Sequence, residues 1–288
     1  MQALFSNLTT EQADTCGLVL SAAGVSYRVK NGRGGWEIWV EESEYDTALA
    51  GIKQYFQENR DISPPEDTPR QGFQKTYTGI WFPVVLCAWY LAYPSGPGRE
   101  SFIATYGAVS EAILEGELYR TVTALMLHAD AVHLLSNMAG MAIFGTAVCG
   151  IMGRGLGWFM ILLSGISGNF INAAFLETGH LSIGASTAIF GAIGILAGHR
   201  FLERFRLPGQ RMKAWLPLAG GMALLGFLGS GAHTDLTAHL FGFLSGLGLA
   251  IIRGVFFKQP VTDSGQNAFM VLFAGVLAAA WVTGFSHG

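Results

Sequence analysis

The chain has 288 residues, of which 51% are hydrophobic and 13% charged, with a formal net charge of -3 and a mean hydropathy of +0.39. Soluble domains carry about 25% charged residues, so this composition excludes an ordinary water-soluble enzyme and points to a polytopic membrane protein. No dense Lys/Arg face exists to bind nucleic acid, and the three cysteines, Cys16, Cys87 and Cys149, read as free thiols rather than a disulfide frame or metal site.

Residues 1–59 read as a small soluble α+β domain on the cytosolic side. Residues 2–5 fit a short strand, and Thr9 with Gln12 makes a capping box that opens a helix to Ala23, with Gly24 as its stop. Nothing at this N-terminus has the basic-then-apolar pattern of a cleaved signal peptide. Val25, Tyr27 and Val29 alternate with polar residues, as do Trp36, Ile38 and Val40 beyond the turn, which predicts a β-hairpin. Ser43 is the expected cap of a second helix whose Tyr45, Leu49, Ile52 and Phe56 share one face. This β-α-β-β-α module carries no cluster of acids, His or Cys, so a binding role toward a regulatory partner is expected of it rather than chemistry. Residues 60–76, with Pro64, Pro65 and Pro69 among alternating charges, read as a linker.

Apolar runs follow at 77–93, 131–152, 156–176, 185–202, 215–231, 236–257 and 268–285. Each approaches the ~20 residues a bilayer core requires, the first and fifth falling short. The fold class expected is therefore an all-α polytopic membrane protein, with a six-span core over 77–257 and a seventh transmembrane helix within 258–288. Arg154, Arg200, Arg204, Arg206, Arg211, Lys213, Arg253 and Lys258 fall on one side of these spans, and Arg99 and Arg120 on the other. The positive-inside rule places the N-terminus in the cytoplasm and the C-terminus outside. Between the first two spans, residues 94–130 mix aromatic and acidic groups in a way that suggests segments lying in the membrane interface.

Polar groups inside spans are costly and usually functional. Ser186 lies at the first turn of the fourth span, beside unpaired backbone N–H groups that stabilise developing negative charge. His239 lies a turn into the sixth span; His128 and His133 flank the start of the second, with Asn137 one turn beyond His133. All fall at a similar depth below the outer surface. The chemistry such a set can do is acyl transfer: Ser186 as nucleophile and His239 as base, with His133 and Asn137 donating to an oxyanion. No carboxylate within a span is available to orient His239, so a dyad is implied. Gly242 and Gly246 form a G-x-x-x-G face that permits close approach to Ala188 and Gly191. His180, His199, His233 and His287 read as interfacial hydrogen-bonding residues, and Asn169 and Asn172 as inter-helix ones. The sequence has no H-E-x-x-H, and His133 with Asn137 is a poor ligand pair, so no metal or other cofactor is expected.

Tyr119-Arg120, His128, His133-x-x-x-Asn137, Gly184-x-Ser186 with Gly191, and Ala238-His239-x-x-Gly242-x-x-x-Gly246 together resemble the rhomboid family of intramembrane serine proteases, over about residues 115–257. The resemblance implies Ser186 as nucleophile, His239 as base, His133 and Asn137 as oxyanion donors, and supporting roles for His128, Arg120, Gly184, Phe190, Gly191, Gly242 and Gly246. It implies transmembrane protein substrates, cut near the outer membrane boundary, and a bacterial inner membrane as the setting. The N-terminal module is similar to cytosolic domains of some bacterial rhomboids, and the seventh span to a C-terminal addition some members carry. Thr187 stands where many members have glycine and is expected to shape the pocket beside the nucleophile. Phe190 replaces a tyrosine and can still stack on the imidazole; Tyr119 replaces a frequent tryptophan. The alternative is a non-proteolytic rhomboid-like protein that binds membrane clients, against which the presence of both Ser186 and His239 counts.

Overall fold

A computed structural model of the protein describes residues 1–32, 35–59, 76, 78–228, 235–257 and 259–287, and it divides into two units, Met1–Arg70 and Gln71–Gly288. Nearly all of the expected linker lies outside the described residues, as does His233.

In the first unit, strand β1 (Gln2–Leu8) leads to helix α1 (Thr10–Ala22), then to β2 (Tyr27–Gly32) and β3 (Gly35–Val40). The expected capping box forms: the Gln12 N–H donates to Thr9 Oγ1 and the Thr9 N–H to Gln12 Oε1. Gly24, at φ +71, ends the helix in the left-handed region that a glycine adopts without strain. Strand β3 is central, antiparallel to both neighbours in the order β1-β3-β2. Its Ile38 and Val40 are fully buried against Cys16 and Leu20 of α1 and Ala48 and Ile52 of α2 (Tyr45–Glu58). Two sequence expectations are corrected. Strand β1 runs past Phe5 to Leu8 because register shifts after Ala3 and Phe5 let it follow β3 further. Ser43 does not cap α2: residues Glu42–Glu44 form a 3-10 turn, and Glu44 precedes the helix without a side-chain cap. Phe56, last on the face shared by Tyr45, Leu49 and Ile52, is exposed.

The second unit begins with α3 (Thr78–Ala92), followed by α4 (Pro97–Tyr106), the two-residue strand β4 (Ala108–Val109), α5 (Ser110–Leu114) and α6 (Arg120–Thr123). Helix α7 (Ala131–Gly140) continues through a π turn at Met141–Gly145 into α8 (Thr146–Met152), and α9 (Arg154–Leu176) follows. Strand β5 (Leu181–Ser182) then leads into α10 (Ser186–Phe205), α11 (Arg211–Ala214), α12 (Leu216–Leu228), α13 (Leu236–Phe256) and α14 (Asp263–His287). Among the described residues, four helices are long and apolar enough to cross a membrane: Ala131–Met152, Arg154–Leu176, Leu236–Phe256 and Asp263–His287. Helix α10 has 20 residues and ends in the charged Arg200, Glu203 and Arg204. Helices α3 and α12 have 15 and 13 residues, shorter than the ~20 that a bilayer core takes. The protein is an integral membrane protein, polytopic and mainly helical.

Helix α10 is the centre of this unit, buried almost without interruption from Thr187 to Gly198. Helix α13 meets it backbone to backbone. A Cβ at Gly242 would overlap the Thr187 carbonyl oxygen, and one at Gly246 the Gly191 carbonyl oxygen. Only glycine allows that approach. The segment between α3 and α7 is braced rather than loose. Its strand β4 pairs with β5, Ala108 opposite Ser182, and Arg120 donates to the carbonyls of Ala104 and Gly107 while paired with Glu117. Helix α14 closes the unit. The Gly155 and Leu156 N–H groups donate to Gln266 Oε1 at 2.8 and 2.9 Å, and Gln266 Nε2 donates to the Met152 carbonyl at 3.0 Å. Further along, Trp281 lies among Trp89, Phe102 and Tyr106.

Candidate active site

The chain reaches Ser186 through a constrained turn. Gly184 has φ +108, a conformation open to glycine, and its N–H donates to the Ala124 carbonyl at 2.9 Å. Two residues later Ser186 begins α10, half-buried, with its N–H among the first of the helix and so without an intrahelical acceptor. From α13, one turn above the Gly242 contact, His239 brings Nε2 to 2.8 Å from Ser186 Oγ. His239 is buried, and its Nδ1 has no partner among the described residues. Phe190, one turn along α10 from Ser186, stacks on the imidazole with ring centres 4.5 Å apart and planes at 28°.

Helix α7 supplies the facing side. Its cap is Asp130, whose carboxylate accepts from the His133 N–H at 2.8 Å. That hydrogen bond holds the Asp130 carboxyl below the usual range. His133 and Asn137, four apart, project from one face. A Cβ at Gly184 would lie 2.5 Å from His133 Nε2 and 3.2 Å from Asn137 Nδ2, so both nitrogens crowd the backbone just ahead of Ser186. Asn137 Nδ2 is buried and donates to nothing among the described residues. A hydroxyl, an imidazole hydrogen-bonded to it and an unspent N–H donor beside it are the parts of an acyl-transfer site.

The family model described as Rhomboid domain matches residues 115–256, a stretch that contains all of these residues. The chain belongs to the rhomboid family. It is 31% identical over 147 residues to RHOMBOID-like protein 1 of Arabidopsis thaliana, covering 50% of this chain and 36% of that one. Against Putative rhomboid protease YdcA of Bacillus subtilis it is 29% identical over 187 residues, 63% of this chain and 92% of the relative. Against Inactive rhomboid protein 2 of Homo sapiens it is 31% identical over 175 residues, 57% of this chain and 19% of that one. The chain thus spans little more than a third of the Arabidopsis relative, and its relatives include both proteases and a protein named inactive.

Within the rhomboid domain, Ser186, His239, Phe190, His133, Asn137 and Gly184 converge on one place. Gly191, Gly242 and Gly246 lie below it in the α10–α13 seam. Arg120 is remote, bracing the segment before α7. His128 stands beside His133, fully buried, its ring 5.1 Å from that of His133 and both ring nitrogens without partners among the described residues. Burial, then the neighbouring His133, pushes the His128 imidazole down to about 3. Its backbone is held by Tyr93, whose hydroxyl accepts from the His128 N–H and donates to the His128 carbonyl. Thr187 corrects an expectation. It is buried and turned into the seam, its methyl against Gly168 and Gly242, so it fills space between helices rather than shaping the pocket beside Ser186.

The sequence reading passed over Asp235. It caps α13, with Oδ1 accepting from the Ala238 N–H and the Thr237 hydroxyl, each at 2.9 Å, and its Oδ2 lies 2.6 Å from His180 Nε2 and 2.9 Å from Asn172 Nδ2. Burial alone would raise its carboxyl, but the Ala238 N–H and the His180 ring hold it below the usual range. The signal was present in the sequence: an aspartate immediately before an apolar run is a helix cap. Asn169 donates to the Thr121 carbonyl, so both span-three asparagines bond other segments. Among the described residues, no group of three or more His, Cys, Asp or Glu side chains could hold a metal ion.

Proposed function

We propose that the protein is an intramembrane serine endopeptidase that hydrolyses peptide bonds of single-span membrane proteins near the outer membrane boundary, with Ser186 and His239 as its catalytic dyad. The observation that carries this reading is the 2.8 Å approach of His239 Nε2 to Ser186 Oγ beside the unpaired Asn137 Nδ2. Ser186 Oγ attacks the scissile carbonyl carbon while its proton passes to His239 Nε2. The oxyanion accepts hydrogen bonds from Asn137 Nδ2, His133 Nε2 and the Ser186 N–H, donors each worth about 10²- to 10³-fold in rate. The imidazolium returns the proton to the leaving amine, and a water deprotonated by His239 releases the acyl group. Stacking of Phe190 holds the ring in the attacking plane.

The same reading has the N-terminus in the cytoplasm, the C-terminus outside and a bacterial inner membrane as the setting, supported by the distribution of basic residues for the orientation and by the Bacillus subtilis relative for the setting. A regulatory partner for the N-terminal module belongs to the same reading. The competing reading, a client-binding protein without turnover, is favoured by the bare His239 Nδ1 and the inactive human relative. Purified protein in lipid, given a generic single-span substrate and a serine-directed fluorophosphonate, separates the two. Cleavage and labelling that vanish in Ser186→Ala, with cleavage also lost in His239→Ala, are expected. Retention of bound substrate with neither cleavage nor labelling would establish the client-binding reading instead.

A further inference from the structure

Three chain segments end on one carboxylate. Asn172 comes from the last turns of α9, His180 from the connection leading to β5, and Asp235 itself starts α13. The Asp235 carbonyl also accepts the His239 N–H at 3.1 Å, closing the helical turn that separates the two residues. The same connection is fixed on its other side, where the His180 carbonyl accepts the Ser110 N–H and β5 pairs with β4. Beyond β5 the chain runs straight into Gly184 and Ser186. The base-bearing helix and the strand feeding the nucleophile are therefore tied to each other through Asp235.

We propose that Asp235 is a positioning residue for the dyad, fixing α13 against α9 and the β5 connection and placing a negative charge one helical turn from His239, where it stabilises the imidazolium formed when Ser186 loses its proton. The proposal rests on the dyad reading above. Among the described residues no carboxylate meets His239 Nδ1, and the compensating charge acts across the helix turn rather than by contact. The titratable groups facing Asp235 are His180 from the connection and His239 on its own helix; those facing His239 are Asp235 and His133 of α7.

Three variants in the full chain separate positioning from mere support, each read by kcat, KM, the dependence of kcat on pH, fluorophosphonate labelling and thermal unfolding. Asp235→Asn keeps a capping oxygen but no charge. It is expected to lower kcat by about tenfold with KM little changed, and to move the ascending limb of kcat roughly half a pH unit lower, because the imidazolium loses its counter-charge. His180→Ala, a change at a partly exposed ring, keeps the cap and the charge but strips one donor from the carboxylate, leaving more of its charge to act on His239. Its limb should move the other way, to higher pH. Asp235→Ser retains a cap and loses both the charge and the ties, so it should lower kcat further than Asp235→Asn. Limbs unmoved in Asp235→Asn and His180→Ala, or losses that follow unfolding temperature alone, overturn the proposal. Should Asp235→Asn not fold, the His180→Ala limb decides by itself. A parent protein that neither cleaves nor labels removes the dyad reading instead, a result distinct from a cleaving parent whose Asp235→Asn variant matches it.

Discussion

The two flanks of α10 are packed on different terms. Toward α13 the contact is made mainly by backbone, with the Thr187 and Gly191 carbonyls against Gly242 and Gly246 and the Phe243 carbonyl against Gly194. Toward α12 it is made by side chains: Leu225 is buried, while Met222 and Phe227 point away and are exposed. A backbone contact has no rotamers through which to adjust, whereas a side-chain contact can slide or repack. The Ser186–His239 hydrogen bond bridges the first kind of interface. The lesson is that a hydrogen bond between two helices, made with no partner on the far ring nitrogen among the described residues, needs helices that cannot shift, and glycine supplies that stiffness in a bilayer where no hydrophobic force presses helices together.

The largest test of this contrast is on the tight flank. Gly246→Leu drives a side chain into the Gly191 carbonyl and should separate Ser186 from His239, lowering cleavage by more than about 100-fold, since displacements near 1 Å suffice for that. The measurement is turnover of the single-span substrate together with thermal unfolding; activity within tenfold of the parent would show that the seam can open without consequence. An intermediate effect comes from acid. His128 is buried as the neutral imidazole, whereas the unfolded chain takes up a proton near its ordinary value of 6.5. Its contribution is full above that value and drains away as pH falls toward about 3. Between pH 7.5 and 5 the loss is roughly 2 kcal/mol. Unfolding temperature in detergent should therefore drop on acidification, and the drop should shrink in His128→Phe. The smallest effect is expected on the loose flank: Phe227→Ala should change unfolding free energy by less than about 0.5 kcal/mol, as exposed positions do. A larger change would mean that α12 is held more firmly than its packing suggests.

Much of this arrangement was legible in the sequence because it is written in residue types that a membrane span otherwise avoids. Ser186, His239, His133 and Asn137 stand out against apolar runs, and their common depth follows from helix geometry, so the structure brings together residues that could be grouped beforehand. The glycine seam was legible for the same reason, a spacing of four on one face. What escaped detection lies at helix ends. Asp235 falls one residue outside the sixth span, where a carboxylate is unremarkable, and His180, an isolated interfacial group in the sequence, acquires a partner 55 residues away. Thr187 could be placed on α10 but not rotated, since the direction of a side chain depends on which neighbours have room for it. Ser43 does not cap the helix because it lies inside the 3-10 turn Glu42–Glu44, one residue before the cap position at Glu44. Gln266 gave no signal at all, because a glutamine reads as polar surface until the turn it satisfies is known.

That glutamine has a consequence for how the chain assembles. Helix α9 is synthesised well before α14, yet its Gly155 and Leu156 N–H groups, and the Met152 carbonyl just before them, find their partners on Gln266 more than a hundred residues later. Until the final span arrives, the start of the third span carries unmatched amides close to the bilayer, a state that favours water at that end over lipid. The turn that begins α9 is thus completed only when α14 docks against it, whereas the glycine contacts between α10 and α13 need nothing from α14.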